Sequence, residues 1–171
     1  IELIDNYRKT GDQNNKTALP SVCYMGVCSK TRAAANMQPT QAIMLDVDHV
    51  EDVLTAYCDI QLKVGKEWWV DNVLIAHITP SGKGLRLVVW AQKEFGNSVI
   101  DQIKGLATKF DLYKYGKVDE PCKDFSRLSF LFKADELLYE SAQLYTVSAP
   151  QPDGVLTNNN HSEISEENSQ D

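Results

Sequence analysis

The chain has 171 residues, 43% hydrophobic and 24% charged, which suits one globular domain and excludes both a disordered polymer and a two-domain protein of ordinary size. The formal charge of −7 is uneven: residues 151–171 carry five acidic residues and no Lys or Arg, leaving 17 basic and 19 acidic residues before them. That near balance excludes a strongly basic nucleic-acid binder, so any affinity for DNA or RNA must come from a local patch. No apolar run approaches the roughly 20 residues of a membrane helix, and the N-terminus lacks a signal-type apolar core, so a cytoplasmic protein is expected.

In chain order, the pattern predicts a short helix over Ile1–Lys9 and a loop to Pro20. A strand with a glycine break follows over Ser21–Ser29, then a loop over 30–41. AIMLDVDH (42–49) reads as a strand that is apolar on both sides of its aspartates. Apolar residues at Val50, Val53, Leu54, Tyr57 and Ile60 fit a helix over 50–65. Strands are expected over 72–79 and 85–92, joined by the turn PSGKG (80–84) into a hairpin. Residues 96–113 predict a helix capped by Asn97 or Ser98. A polar loop (117–125) and an alternating strand (126–132) complete the pattern. The expected class is α/β (α+β), a mixed sheet with helices packed on one face over residues 1–147. The tail, 148–171, is acidic and poor in apolar residues and reads as disordered or as a linker.

Three clusters carry the chemistry. In LDVDH (45–49), period-2 alternation puts Asp46 and Asp48 on one strand face, roughly 7 Å apart. Two carboxylates on an apolar strand call for a cation between them, and Mg²⁺ or Mn²⁺ suits such oxygens. The plainer reading is a strand end whose aspartates reach solvent or cap the next helix. In TPSGKG (79–84), the glycines, Ser81 and Lys83 can form a backbone nest for phosphate oxygens, with Arg86 two residues further on. The same residues are also ordinary hairpin-turn residues, and the segment is not a Walker loop. In KVDEPCKDFSRLSFLF (117–132), Asp119 is the preferred third ligand of a two-metal site, Asp124 lies nearby, and Arg127 can contact a phosphate or orient a carboxylate; the plainer reading is an ordinary surface loop with a salt-bridged Arg. The remaining signals are bland. Cys23, Cys28, Cys58 and Cys122 read as buried free thiols, His77 as a half-buried structural histidine, and Trp68 and Trp69 as core or sheet-edge packing rather than base-stacking platforms.

Taken together and in order, ALPSVCYMGVCSK (18–30), AIMLDVDHV (42–50), ITPSGKGLRLVV (78–89) and VDEPCKDFSRLSFL (118–131) resemble the VirE N-terminal domain family of bacterial mobile-element proteins, which looks like a divergent branch of the archaeo-eukaryotic primase superfamily. The resemblance spans roughly residues 16–140. It implies a palm-like sheet related to RNA-recognition folds, preceded by a small α/β unit, and nucleotidyl transfer with two divalent ions. By position it gives Asp46, Asp48 and Asp119 to the metals, and Ser81, Gly82, Lys83, Gly84, Arg86 and Arg127 to the nucleotide phosphates. Superfamily members usually carry His where this chain has Arg86. The implied partners are nucleoside triphosphates, a single-stranded DNA template and a helicase or other C-terminal domain, in replication of a mobile element. A non-catalytic nucleotide- or DNA-binding module and a metal-dependent nuclease or phosphohydrolase are the alternatives on the same residues.

Overall fold

A computed structural model describes residues 2–28, 36–120, 125–142 and 156. The centre is a five-stranded sheet built from β4 (Ala42–Asp48), β5 (Val73–Ile78), β6 (Gly84–Trp90), β7 (Lys117–Val118) and β9 (Leu137–Glu140), in the order β7-β4-β6-β5-β9. Every pair in it is antiparallel, so the expected α+β class is observed with an antiparallel rather than a mixed sheet. β4 and β6 lie in the middle and are buried along almost their whole lengths, which is why their sequences read as near-continuous apolar runs.

Three helices pack against the sheet. α3 (Val53–Val64) starts at Asp52, whose carboxylate accepts from the Thr55 amide, and buries Val53, Ala56 and Ile60. α4 (Lys66–Asn72) follows at once, because Gly65 at φ 85° breaks the helical path between the two. Trp69 of α4 is buried edge-on between Tyr57 and Tyr139, and Trp68 packs edge-on against Phe110. Both tryptophans therefore do the packing work expected of them. α5 (Val99–Phe110) is capped by Ser98 and buries Val99, Ile103, Leu106 and Phe110.

The N-terminal unit comprises α1 (Glu2–Thr10), α2 (Gln13–Thr17), β1 (Ser21–Val22), β2 (Gly26–Cys28) and β3 (Met37–Pro39). The single strand expected over 21–29 is two short strands in two different sheets: β2 pairs with β3, and β1 pairs with β8 (Ser129–Phe130). The strand expected over 126–132 is thus only two residues long and stitches the N-terminal unit to the segment that follows Phe125. Cys23, Cys28 and Cys58 form no disulfide among the described residues, but Cys28 and Cys58 are exposed rather than buried, and Cys122 lies outside the described residues. Within the tail, Leu156 is buried in the core, where its N–H and C=O bond to the two ends of the Gln41 side-chain amide at 2.8 and 3.2 Å. The folded unit therefore includes a residue from beyond 147.

Candidate functional site

The antiparallel register sets Asp46 opposite Arg86, and Arg86 opposite His77, in one row across β4, β6 and β5. Side chains opposite one another in a ladder share a face, so this row presents a carboxylate, a guanidinium and an imidazole together. The segment around β8 covers it. Arg86 donates to Ser129 Oγ at 2.7 Å and is ion-paired with Asp46 Oδ2. Arg127 pairs with Asp119 and lies 3.7 Å from Asp46. The Phe132 ring stacks on His77 at 3.8 Å.

Beside this row opens a cavity of about 690 Å³, large enough for a nucleotide-sized ligand. Its lining includes Asp46, Asp48, Ser81, Lys83, Arg86, Asp119 and Arg127. Seven of the nine residues singled out from sequence thus converge, from five separate segments, on one cavity. Gly82 and Gly84 shape its turn. Gly82 has φ 74°, and a Cβ on Gly84 would overlap Thr79 Oγ1 and sit 3.1 Å from the Val47 carbonyl. The expected phosphate nest is modified, because the Gly82 amide donates to the Thr79 carbonyl at 2.8 Å and the Lys83 amide to Ser81 Oγ at 3.2 Å. From the turn, Thr79, Pro80, Ser81 and Lys83 line the cavity.

The carboxylates are unequal. The Asp46 side chain is 8% exposed; one oxygen meets Arg86, while Oδ1 is buried with no hydrogen-bond partner among the described residues. The Asp119 carboxylate is held by Arg127, and its amide donates to the Asp46 carbonyl at 2.9 Å. Asp48 has no ion pair among the described residues. Burial, then the negative charges of Asp46 and Asp119, push its carboxyl above the ordinary carboxylate value, against a weaker opposing pull from Lys16 and His49. Such a shift marks a place where positive charge would bind favourably. As they stand, no three His, Cys, Asp or Glu side chains among the described residues are grouped to hold an ion. The buried Asp46 Oδ1 and the raised Asp48 are the two carboxylates whose chemistry would suit a divalent cation, and Asp119 beside them is paired with Arg127. Asp124 lies outside the described residues.

His77 is fully buried rather than half-buried and does not line the cavity. Its Nδ1 is 2.9 Å from the Ile78 carbonyl, Nε2 has no partner among the described residues, and burial pulls its pKa down to about 4. Sequence reasoning missed Tyr7, Lys16, His49, Thr79, Leu128 and Phe130 in the lining. His49, at φ 60°, stands at the strand exit directly after Asp48. Tyr7 and Lys16 belong to an N-terminal unit whose docking no local pattern announces.

The fold and cavity define an α+β domain with an acid–base cleft at the end of an antiparallel sheet. The sequence model of the BT4734-like N-terminal domain family matches residues 14–139, and the chain belongs to that family. No curated protein and no solved structure matches the chain. No helix among the described residues is long and apolar enough to cross a membrane.

Proposed function

We propose that the cavity binds a nucleoside triphosphate and that the domain is a nucleotidyltransferase of primase-polymerase type, acting on a single-stranded DNA template in mobile-element replication. The observation that carries this reading is the convergence of Asp46, Asp48 and Asp119 with Lys83, Ser81 and two arginines on one nucleotide-sized cavity. Phosphoryl transfer asks the protein mainly for position and charge. Lys83, at the exposed tip of the hairpin turn, supplies a mobile cation for the outer phosphates. Arg127, 29% exposed, is able to turn from Asp119 to a phosphate, for which its planar fork is suited. Arg86 is held between Asp46 and Ser129 and acts by fixing Asp46 rather than by reaching out. Asp46 and Asp48, joined by Asp119, would hold Mg²⁺ or Mn²⁺, which when bound would activate the attacking hydroxyl and stabilise the leaving pyrophosphate.

The arginine pairing of Asp46 and Asp119 favours a second reading, a nucleotide-binding module that does not turn its ligand over. Primer synthesis and extension on single-stranded DNA with Mn²⁺ or Mg²⁺ separates the two. Asp48→Asn is the informative variant, because among the described residues Asp48 has no ion pair whose loss would destabilise the fold. Product from the native chain and none from Asp48→Asn supports transfer. Nucleotide binding without product supports the module, and cleavage of the DNA without extension would replace both with a nuclease.

A further inference from the structure

The cavity lining combines two kinds of side chain: the carboxylates, Lys83 and the arginines on one hand, and the half-buried aromatic residues Tyr7 and Phe130, with Leu128, on the other. The ammonium of Lys16 lies 5.7 Å from the Tyr7 ring centroid and 6.0 Å from that of Phe130, so one flexible cation covers both aromatic faces. A cation on a ring face contributes little where water still reaches it, and an incoming planar group would displace it readily. Building on the nucleotide reading, we propose that the nucleobase of the bound nucleotide stacks on Tyr7 and Phe130, which makes helix α1 part of the ligand site.

The anchoring of α1 supports this. Arg8 donates to the Pro80 carbonyl at 2.8 Å and the Thr79 carbonyl at 3.3 Å, and is ion-paired with Glu136 at 2.5 Å. The helix that presents Tyr7 is therefore bonded directly to the backbone of the turn that presents Ser81 and Lys83. Lys133 pairs with Asp5 on the same helix, and Ile4 is buried beneath it. On the far side, Ser21 pairs with Phe130 in the β1–β8 ladder, and the Leu131 amide donates to Pro20 at 2.9 Å. Tyr7 is thus tied through α1 to the hairpin turn, and Phe130 to β1. Tyr7 precedes the family-matched segment, which starts at residue 14, so this half of the subsite is a feature of this chain rather than of the matched pattern.

The test compares two ligands on the full chain with Mg²⁺ by calorimetry: a non-hydrolysable nucleoside triphosphate and inorganic tripolyphosphate. The variants are Tyr7→Ala, Tyr7→Phe and Phe130→Leu, each checked for unchanged melting temperature. Loss of one stacking partner should weaken the nucleotide by about 5-fold or more. Tripolyphosphate affinity should hold within about 2-fold, and Tyr7→Phe should bind as the native chain does. Nucleotide affinity unaffected by both Tyr7→Ala and Phe130→Leu would overturn the base subsite while leaving nucleotide binding intact. Equal fractional losses for both ligands would overturn it too, since the rings would then only support the fold. A native chain that binds neither ligand would overturn the nucleotide reading itself.

Discussion

Replacing Arg86 by Met asks what neutralises Asp46. Both side chains are less than a tenth exposed, and Arg86 bonds to Asp46 Oδ2 and Ser129 Oγ. Arg86→Met leaves a buried carboxylate that has Arg127 3.7 Å away and whose Oδ1 has no partner among the described residues. Removing one member of a buried pair costs about 3–5 kcal/mol, a large part of the roughly 5–15 kcal/mol that holds a domain folded. Asp46→Asn strands the guanidinium instead and should cost a similar amount. The double variant removes both charges and should be far less destabilised than the sum, with a coupling of about 2–3 kcal/mol. Urea midpoints at constant m measure all four corners of the cycle. Mn²⁺ adds a second arm. An ion that binds only the folded chain adds about 2.7 kcal/mol at 100 times its Kd, and it should rescue Arg86→Met more than it stabilises the native chain. Single variants that each cost under about 1 kcal/mol and combine additively would refute the argument, because the pair would then behave as a surface contact.

Other outcomes follow from the same geometry. Asp48→Asn should raise the melting temperature without metal at neutral pH and abolish stabilisation by Mn²⁺. The Asp48 carboxyl titrates above its unfolded value, so its ionisation costs stability as pH rises through the carboxylate range, and the gain should vanish in acid, which a series of melting curves would show. His77 is the opposite case: its pKa falls to about 4, the unfolded chain takes up the proton first, and stability should drop by up to about 3 kcal/mol as pH falls from 6.5 toward 4, a slope that His77→Phe should flatten. Leu156→Ala should cost about 2–4 kcal/mol in denaturant titrations, since the side chain is 3% exposed within the core. Gly84→Ala should destabilise the hairpin, because its Cβ would overlap Thr79 Oγ1, and a melting temperature equal to that of the native chain would remove that reason for the glycine.

Burial pattern made the central strands legible. AIMLDVDH and the two arms of the hairpin are apolar runs interrupted only by residues with work to do, and they became β4, β5 and β6 within a residue or two. What escaped was short or depended on partners far along the chain. α4 has seven residues and buries only Trp69, too little for a helical period to show, and β9 is an edge strand with no alternation. Leu156 is one apolar side chain in a polar tail, and its place follows from Gln41, which lies more than a hundred positions earlier. The site divides along the same line. That Asp46 needs a cation is a local statement, readable from its strand. Which cation answers depends on register: pairing Asp46 with Arg86 is fixed only when β4 and β6 align, and a one-residue slip would turn Arg86 to the other face. A strand with two aspartates therefore states a charge requirement without naming its counterion. Here arginine meets it at Asp46, Asp119 is met by Arg127, and Asp48 alone keeps the requirement open among the described residues. For that reason Asp48, rather than the deeper and more tightly bound Asp46, is the position at which a metal-dependent chemistry should first be sought.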